Sequence, residues 1–184
     1  MRFHFDIDKC VAAAAYVADR AGGTISPFEL IKTLYLADRE SFLKFHASIT
    51  GDRLVSLPKG PVLSRVYDFV KGVSTAEGFD AWEKVFTPRE NNKIRLKQMP
   101  ELGYLSARDR DILDAACGEI AKVKLIKPLS DWSHEVFPEW TDPHGSMTPI
   151  DPAVILRNAG KTEGEIASVE EELEALNFVR AAFG

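Results

Sequence analysis

The stretch from Thr24 to Asp68 constrains the fold most, because it opens with a long helix whose start is sharply marked. The Ser26 hydroxyl can accept a hydrogen bond from the free N–H groups of a first turn, and Pro27 suits the first helical position. Glu29 stands three residues after Ser26 and is predicted to complete a capping box. Apolar residues then recur with a 3.6-residue period, which predicts a helix from Pro27 to about His46. At 1.5 Å per residue this helix is about 30 Å long, enough to span the domain.

The residues after this helix predict a turn, a strand, a corner and a second helix. Gly51, within Thr50–Asp52, tolerates backbone angles that are closed to other residues and ends the helical run. Arg53–Leu57 is short and favours a strand, and the prolines of Pro58–Pro61 predict a rigid corner. Val62–Lys71 carries apolar residues at helical spacing and predicts the second helix.

The rest of the chain predicts further helices and one β-hairpin. Each helix is indicated by a capping residue or a proline followed by apolar residues at helical spacing. These helices are Lys9–Ala21 capped by Asp8, one that begins at Ser106 with Asp109 in a capping box, Leu129–Val136, one from Asp151–Pro152 to about Asn158, and Glu165–Phe183. The hairpin strands are predicted at Trp82–Thr87 and Lys93–Lys97, resting on the helices or on the Arg53–Leu57 strand. The sequence therefore predicts an α+β protein, mostly α, with five to seven helices around the long central helix and a small antiparallel sheet.

Composition narrows the class of protein. At 184 residues, with 45% hydrophobic and 28% charged residues, the chain is typical of one globular domain. Its net charge of −5 argues against nucleic acid as the main partner, because phosphate contacts need clustered Lys and Arg. Cys10 and Cys117 lie beside alanines in predicted helices and are expected to be reduced, buried hydrophobes. The chain shows no signal-peptide pattern and no apolar run of about 20 residues, so we expect a cytoplasmic protein without a membrane span.

Four short motifs in the first stretch carry a resemblance to a known family. In order they are Lys32-x-x-Tyr35-x-x-Asp38, Ile49-Thr50-Gly51-Asp52, Pro58-x-Gly60-Pro61-Val62 and Tyr67-Asp68. Their order and spacing are similar to the Panacea domain, found in SocA-like antitoxins and phage-associated proteins. The resemblance continues more loosely to Trp140, through a Leu-Ser-x-x-Ser-His segment in which Ser133 stands where the family usually has Thr. The family-motif residues are thus Lys32, Tyr35, Asp38, Gly51, Asp52, Pro58, Gly60, Pro61, Tyr67, Asp68, Trp132, His134 and Trp140.

The resemblance implies an antitoxin that neutralises a cognate toxin, encoded nearby in a bacterial genome, by direct protein–protein binding. It also implies that a member can act as a proteolytic adaptor, delivering the toxin to an AAA+ protease. No catalytic residue, metal or cofactor is implied, so the chain is predicted not to be an enzyme. We expect residues 1–160 to form the Panacea domain and residues 161–184 an amphipathic helix packed on the same domain. A groove-binding or dimerising role for that helix, and with it a homodimer, stays open.

Residue types alone leave other functions open. The motif residues of the central helix are interpreted as a buried polar network that joins turn to helix, with partner contact as the rival interpretation. One alternative function is a metal-dependent hydrolase that uses His134, Glu135 and His144, which requires these side chains to converge in a pocket. The other is a DNA-binding autorepressor, which requires a basic face.

Overall fold

A computed structural model describes residues 1–183, except for the side chains of Ala181 and Phe183. Within that range, eight α-helices and five short strands confirm the α+β, mostly α class, with more helices than the five to seven predicted. The last apolar side chain predicted for the C-terminal helix, Phe183, and the final residue of the predicted 161–184 segment, Gly184, lie outside the described residues.

The central helix, α2, spans Pro27–Phe45 and starts as predicted. Ser26 Oγ accepts a hydrogen bond from the Glu29 N–H at 3.1 Å, and His46 ends the helix in the left-handed conformation. The predicted capping box is wrong in its second half. The Glu29 carboxylate lies 2.5 Å from Lys124 Nζ, because an ion pair with a neighbouring helix competes for it.

Two long helices pack against α2. Helix α1, Ile7–Arg20, buries its run of four alanines completely, so its backbone can approach α2 closely. Helix α5, Ala107–Val123, makes the most extensive contact with α2 and forms the predicted capping box between Ser106 and Asp109. The predicted start of α1 is wrong by two residues, because the side chain of Asp6 rather than Asp8 accepts a hydrogen bond from the first turn.

The turn after α2 leads into a β-hairpin followed by a helix. Strand β2, Leu54–Leu57, pairs antiparallel with β3, Gly60–Leu63, with Val55 opposite Val62. Helix α3 then covers Ser64–Lys71. The helix predicted from Val62 is therefore wrong over its first two residues, since pairing with β2 satisfies their backbone groups in an extended conformation.

The predicted hairpin at residues 82–97 is largely wrong. Helix α4, Phe79–Val85, replaces its first strand, because a helix places Trp82 on the core, where its ring stacks on Phe86 at 4.3 Å. Strand β4, Ile94–Arg95, pairs with β1, Thr24–Ile25. It does not pair with β2, which covers most of the Arg53–Leu57 strand that was one of its two predicted supports. Single bridges, Phe86 to Leu96 and Glu90 to Lys93, are what remains of the predicted hairpin.

The C-terminal third adds three helices and the last strand. Helices α6, Leu129–Val136, and α7, Pro152–Asn158, lie where they were predicted, and β5, Thr148–Pro149, pairs with β2. The last helix, α8, covers Glu163–Phe183. Its first half docks through side chains buried in the core, which are Ile166, Val169 and Leu173. Its second half exposes apolar side chains, which are Leu176, Phe178 and Val179.

The two cysteines are both free thiols, with Cys10 buried and Cys117 partly buried. Among the helices of residues 1–183, none combines the length and the hydropathy that a bilayer-crossing segment requires.

Gly51→Ala is expected to destabilise the fold by more than 2 kcal/mol, because it adds a steric clash to backbone strain. Gly51 has a φ of +71°, and a Cβ there would overlap the carbonyl oxygen of His4. Gly72→Ala is the matched control: its φ is +77° but nothing lies within 4 Å of the added atom, so only about 1 kcal/mol of strain is expected. Chemical denaturation measures both losses, and equal losses would contradict the clash at Gly51.

Candidate functional site

The Asp38 carboxylate ties the turn after α2 to the helix itself. It is buried and accepts hydrogen bonds from the N–H groups of Ile49 and Thr50 at 2.9 and 3.0 Å. The hydroxyls of Ser48 and Thr50 donate to its other oxygen. Burial raises the pKa of Asp38 above its usual value, and these hydrogen bonds only partly oppose that rise. The arrangement is the turn-to-helix network that was expected for this residue.

Asp52 extends this network to α3. Its carboxylate accepts hydrogen bonds from the N–H of Arg53 at 2.7 Å and from those of Arg65 and Val66 at 2.8 and 3.1 Å. The residue at the N-cap position of α3, Leu63, has no polar side chain to cap the helix. Asp52, which is distant in sequence, therefore accepts the hydrogen bonds of the free N–H groups in the first turn. Desolvation raises the pKa of Asp52 to about 6.

Lys32 holds the tip of the hairpin from inside the protein. Its side chain is fully buried, and Nζ donates a hydrogen bond to the carbonyl of Pro61 at 2.8 Å. Desolvation lowers the pKa of the amino group to about 7. Gly60 lies between Lys32 and the buried side chain of Ser133, and a Cβ at Gly60 would meet both. Glycine is therefore required where the hairpin packs on α2 and α6.

A second buried network joins α2 to the segment after α6. Tyr35 Oη donates to Glu139 Oε1 at 2.8 Å, and Arg39 Nε donates to the same oxygen at 2.8 Å. Burial, with the nearby Glu139 charge, raises the pKa of Tyr35 well above its usual value. Trp140 Nε1 donates to the carbonyl of Leu57 at 2.9 Å, which anchors the other end of the hairpin turn.

The outer face of the hairpin turn borders a groove of about 650 Å³, here called the hairpin groove. Its wall includes Pro58, Gly60 and Tyr67 of the family motif, together with apolar side chains from the first turns of α2. Its charged residues are Lys59, Lys71 and Arg89. Some family-motif residues thus support the hairpin from inside the protein, and others, Pro58, Gly60 and Tyr67, border this groove.

One known protein family matches this chain. The family model described as "Antitoxin SocA-like, Panacea domain" matches residues 30–141, more than half of the chain. The chain belongs to the SocA-like Panacea family. No significant match was found among curated proteins or among solved structures.

The remaining family-motif residues of this Panacea chain lie outside the two networks. Trp132 is buried, and its ring meets Phe137 edge-on at 5.2 Å. Asp68 is half-buried in α3, and its carboxylate forms no hydrogen bond within residues 1–183. His134 stacks on Trp140 with 3.8 Å between ring centroids, which is a packing contact.

The residues weighed for a metal-dependent hydrolase do not assemble a metal site. Glu135 pairs with Lys127 at 2.6 Å, and His144 is 89% exposed in a loop. In the part of the chain that the structure describes, no group of three or more His, Cys, Asp or Glu side chains is placed to hold a metal ion. The convergence that this alternative requires is absent there.

Glu139 is the site residue that sequence reasoning did not assign to the network. It is 4% exposed, and its position between Phe137 and Trp140 was a weak signal of burial. Its partner Tyr35 lies 104 residues earlier, so no local pattern could pair them.

Asp38→Ala is expected to cost about 3 kcal/mol of unfolding free energy, because it leaves several buried donors without an acceptor. The exposed Asp111→Ala on α5 is the control and should change stability by less than about 0.5 kcal/mol. Urea denaturation of both variants measures the difference. A loss at Asp38 as small as that at Asp111 would show that the network does not hold the turn.

Lys32 is expected to make the protein more stable as pH rises from 7 to 9. The folded state holds the proton with a pKa of about 7, whereas the unfolded chain holds it to about 10.5, so the unfolded state binds more protons in this window. The gain is about 2 kcal/mol relative to Lys32→Met, which cannot titrate. Denaturation of both proteins at pH 7, 8 and 9 measures it, and parallel pH profiles would contradict the lowered pKa.

Proposed function

We propose that this chain is an antitoxin that neutralises a cognate toxin, encoded nearby, by direct protein–protein binding. The observation that carries the proposal is the match to the SocA-like antitoxin family over residues 30–141, with the motif residues in place. The protein acts by occlusion and not by catalysis. Delivery of the toxin to an AAA+ protease is a further role that the family resemblance supports.

Exposed apolar side chains support a protein-binding role. Leu125 and Ile126, at the corner between α5 and α6, are 88% and 77% exposed. The corner adjoins the first turn of α2 through the ion pair between Lys124 and Glu29. Large apolar side chains that are exposed to this extent are typical of a protein-binding surface.

We place the toxin contact at this corner and not at the free end of α8. Phe178 and Val179 of α8 are also exposed, at 74% and 52%, and the sequence left a groove-binding role open for this helix. A function common to the family is expected within the family-matched residues 30–141, and α8 lies outside them. The division of the chain at residue 160, a homodimer and a cytoplasmic location stay predictions.

The first test is co-expression with the neighbouring reading frame in a tolerant host. We expect the neighbour to stop growth when expressed alone and to be harmless, and to co-purify, when this chain is present. A harmless neighbour that does not co-purify would refute the antitoxin proposal. Metal analysis and hydrolase assays of the purified chain would then test the hydrolase alternative. Salt-sensitive binding to its own promoter DNA would test the autorepressor alternative.

Substituting both corner residues, Leu125→Asp with Ile126→Asp, is expected to weaken toxin binding at least tenfold, because exposed apolar anchors dominate interface energy. The fold should survive, since both side chains are already in solvent. Phe178→Asp with Val179→Asp on α8 is the matched control and should keep wild-type affinity. If only the α8 variant loses binding, the toxin contacts α8 and not the corner.

A further inference from the structure

The hairpin groove has an apolar floor and pre-organised walls. Its apolar side chains include Phe28 and Ile31 from α2, Leu57 and Pro58 from the hairpin, and Val70 from α3. Its volume of about 650 Å³ lies within the usual range for sites that bind small ligands or anchor side chains. A groove with these dimensions can enclose an apolar side chain together with the neighbouring backbone of a bound segment.

Internal contacts hold the wall of the groove in place. Lys32 binds the carbonyl of Pro61, Trp140 binds that of Leu57, and Gly60 packs directly on Ser133. The hairpin turn is therefore fixed on both sides before any partner arrives. A pre-organised wall lowers the entropic cost of binding.

The charges of the groove are all positive. Lys59 comes from the hairpin turn, Lys71 from the end of α3, and Arg89 from the loop after α4. No Asp or Glu lines the groove, and within residues 1–183 none of these three cations forms an ion pair with a carboxylate. Elsewhere on the molecule Arg20, Arg65 and Arg157, among others, do form such pairs.

This concentration of unpaired positive charge stands out in a chain whose net charge is −5. Lys71 lies 5.0 Å from the centre of the Tyr67 ring, which keeps its ammonium group at the groove wall. Behind Gly60 lies the buried amino group of Lys32, again with no carboxylate bonded to it within the described residues. The groove thus offers an apolar floor framed by cations.

The complementary ligand is an extended acidic segment that carries an apolar or aromatic anchor. A phosphate ligand is less well matched, because the chain lacks the glycine-rich phosphate loop and the groove floor is apolar. A nucleic acid is disfavoured by the acidity of the rest of the chain. An acidic protein segment can place an apolar side chain on the groove floor and carboxylates beside the cations of the rim.

We infer that the hairpin groove is the docking site for an acidic, apolar-anchored segment of the toxin. The inference rests on the proposed antitoxin function and adds a second contact beside the α5–α6 corner. Ser130, five residues after Leu125 and at the start of α6, lines the groove. Binding there covers the turn whose residues belong to the family motif.

The experiment measures binding of the neighbouring protein to a charge-reversed groove, Lys59→Glu with Lys71→Glu and Arg89→Glu. These side chains are exposed, so the fold should be kept. The control reverses three exposed cations outside the groove, Arg53→Glu with Lys84→Glu and Arg108→Glu, and changes the net charge equally. Affinity is measured in 50 and 300 mM NaCl with the purified neighbouring protein and with synthetic peptides that tile its acidic segments.

We expect the groove variant to bind the neighbouring protein at least tenfold more weakly than wild type in 50 mM NaCl, and the control to stay within threefold. One acidic peptide should bind wild type, lose affinity in 300 mM NaCl and fail to bind the groove variant. Exchanging that peptide's acidic residues for lysine should restore its binding to the groove variant.

Three results would overturn the inference. If wild type and the groove variant bind the toxin equally well and both neutralise it, the groove is not the docking site, and the antitoxin function still stands. Binding of a 20-nucleotide single-stranded DNA to wild type but not to the groove variant, without any acidic peptide binding, would assign the groove to nucleic acid. A wild-type dimer that the groove variant dissociates would assign it to a second copy of this chain. If wild type neither binds nor neutralises the neighbour, the proposed function fails first.

Discussion

The rest of the structure depends on the buried Asp38 carboxylate. A charge without solvent is costly unless hydrogen bonds compensate it, and here the turn after α2 supplies backbone and hydroxyl donors together. The turn is thereby fixed against the end of α2. Asp52, at the end of that turn, can then reach the first N–H groups of α3 and set where this helix begins. Asp38 thus fixes the turn from which the hairpin and α3 continue, and Asp52 fixes the start of α3.

The same principle explains what most of the Panacea motif does. Four motif residues place polar groups inside the protein, where each must be paired. These are Lys32, Tyr35, Asp38 and Asp52, and their partners are backbone carbonyls, backbone amides, the hydroxyls of Ser48 and Thr50, or Glu139. Such residues specify where the hairpin sits. These side chains are buried, and the surface that they support borders the hairpin groove.

The sequence predicted several helix boundaries from local signals, although the start of α1 and the start of α3 were each wrong by two residues. The start of α2 at Ser26 and the capping box of α5 at Ser106 follow from interactions between residues three positions apart. The starts of α6 and α7 follow Pro128 and Asp151. The motif residues were found in the same way, by spacing. Local signals gave the wrong element at residues 82–85. The residues there alternate as in a strand, but they also suit a short helix packed on the core.

The sequence by itself determined the mostly helical class, the central helix and the family, because periodicity, caps and motif spacing are short-range properties. Only the tertiary structure decided that Val62 and Leu63 extend a strand, that Glu139 joins Tyr35, and that Lys59, Lys71 and Arg89 share one groove. Each of these outcomes depends on a partner in another element. Burial and electrostatics act through space, so they select pairings that the order of residues along the chain does not show.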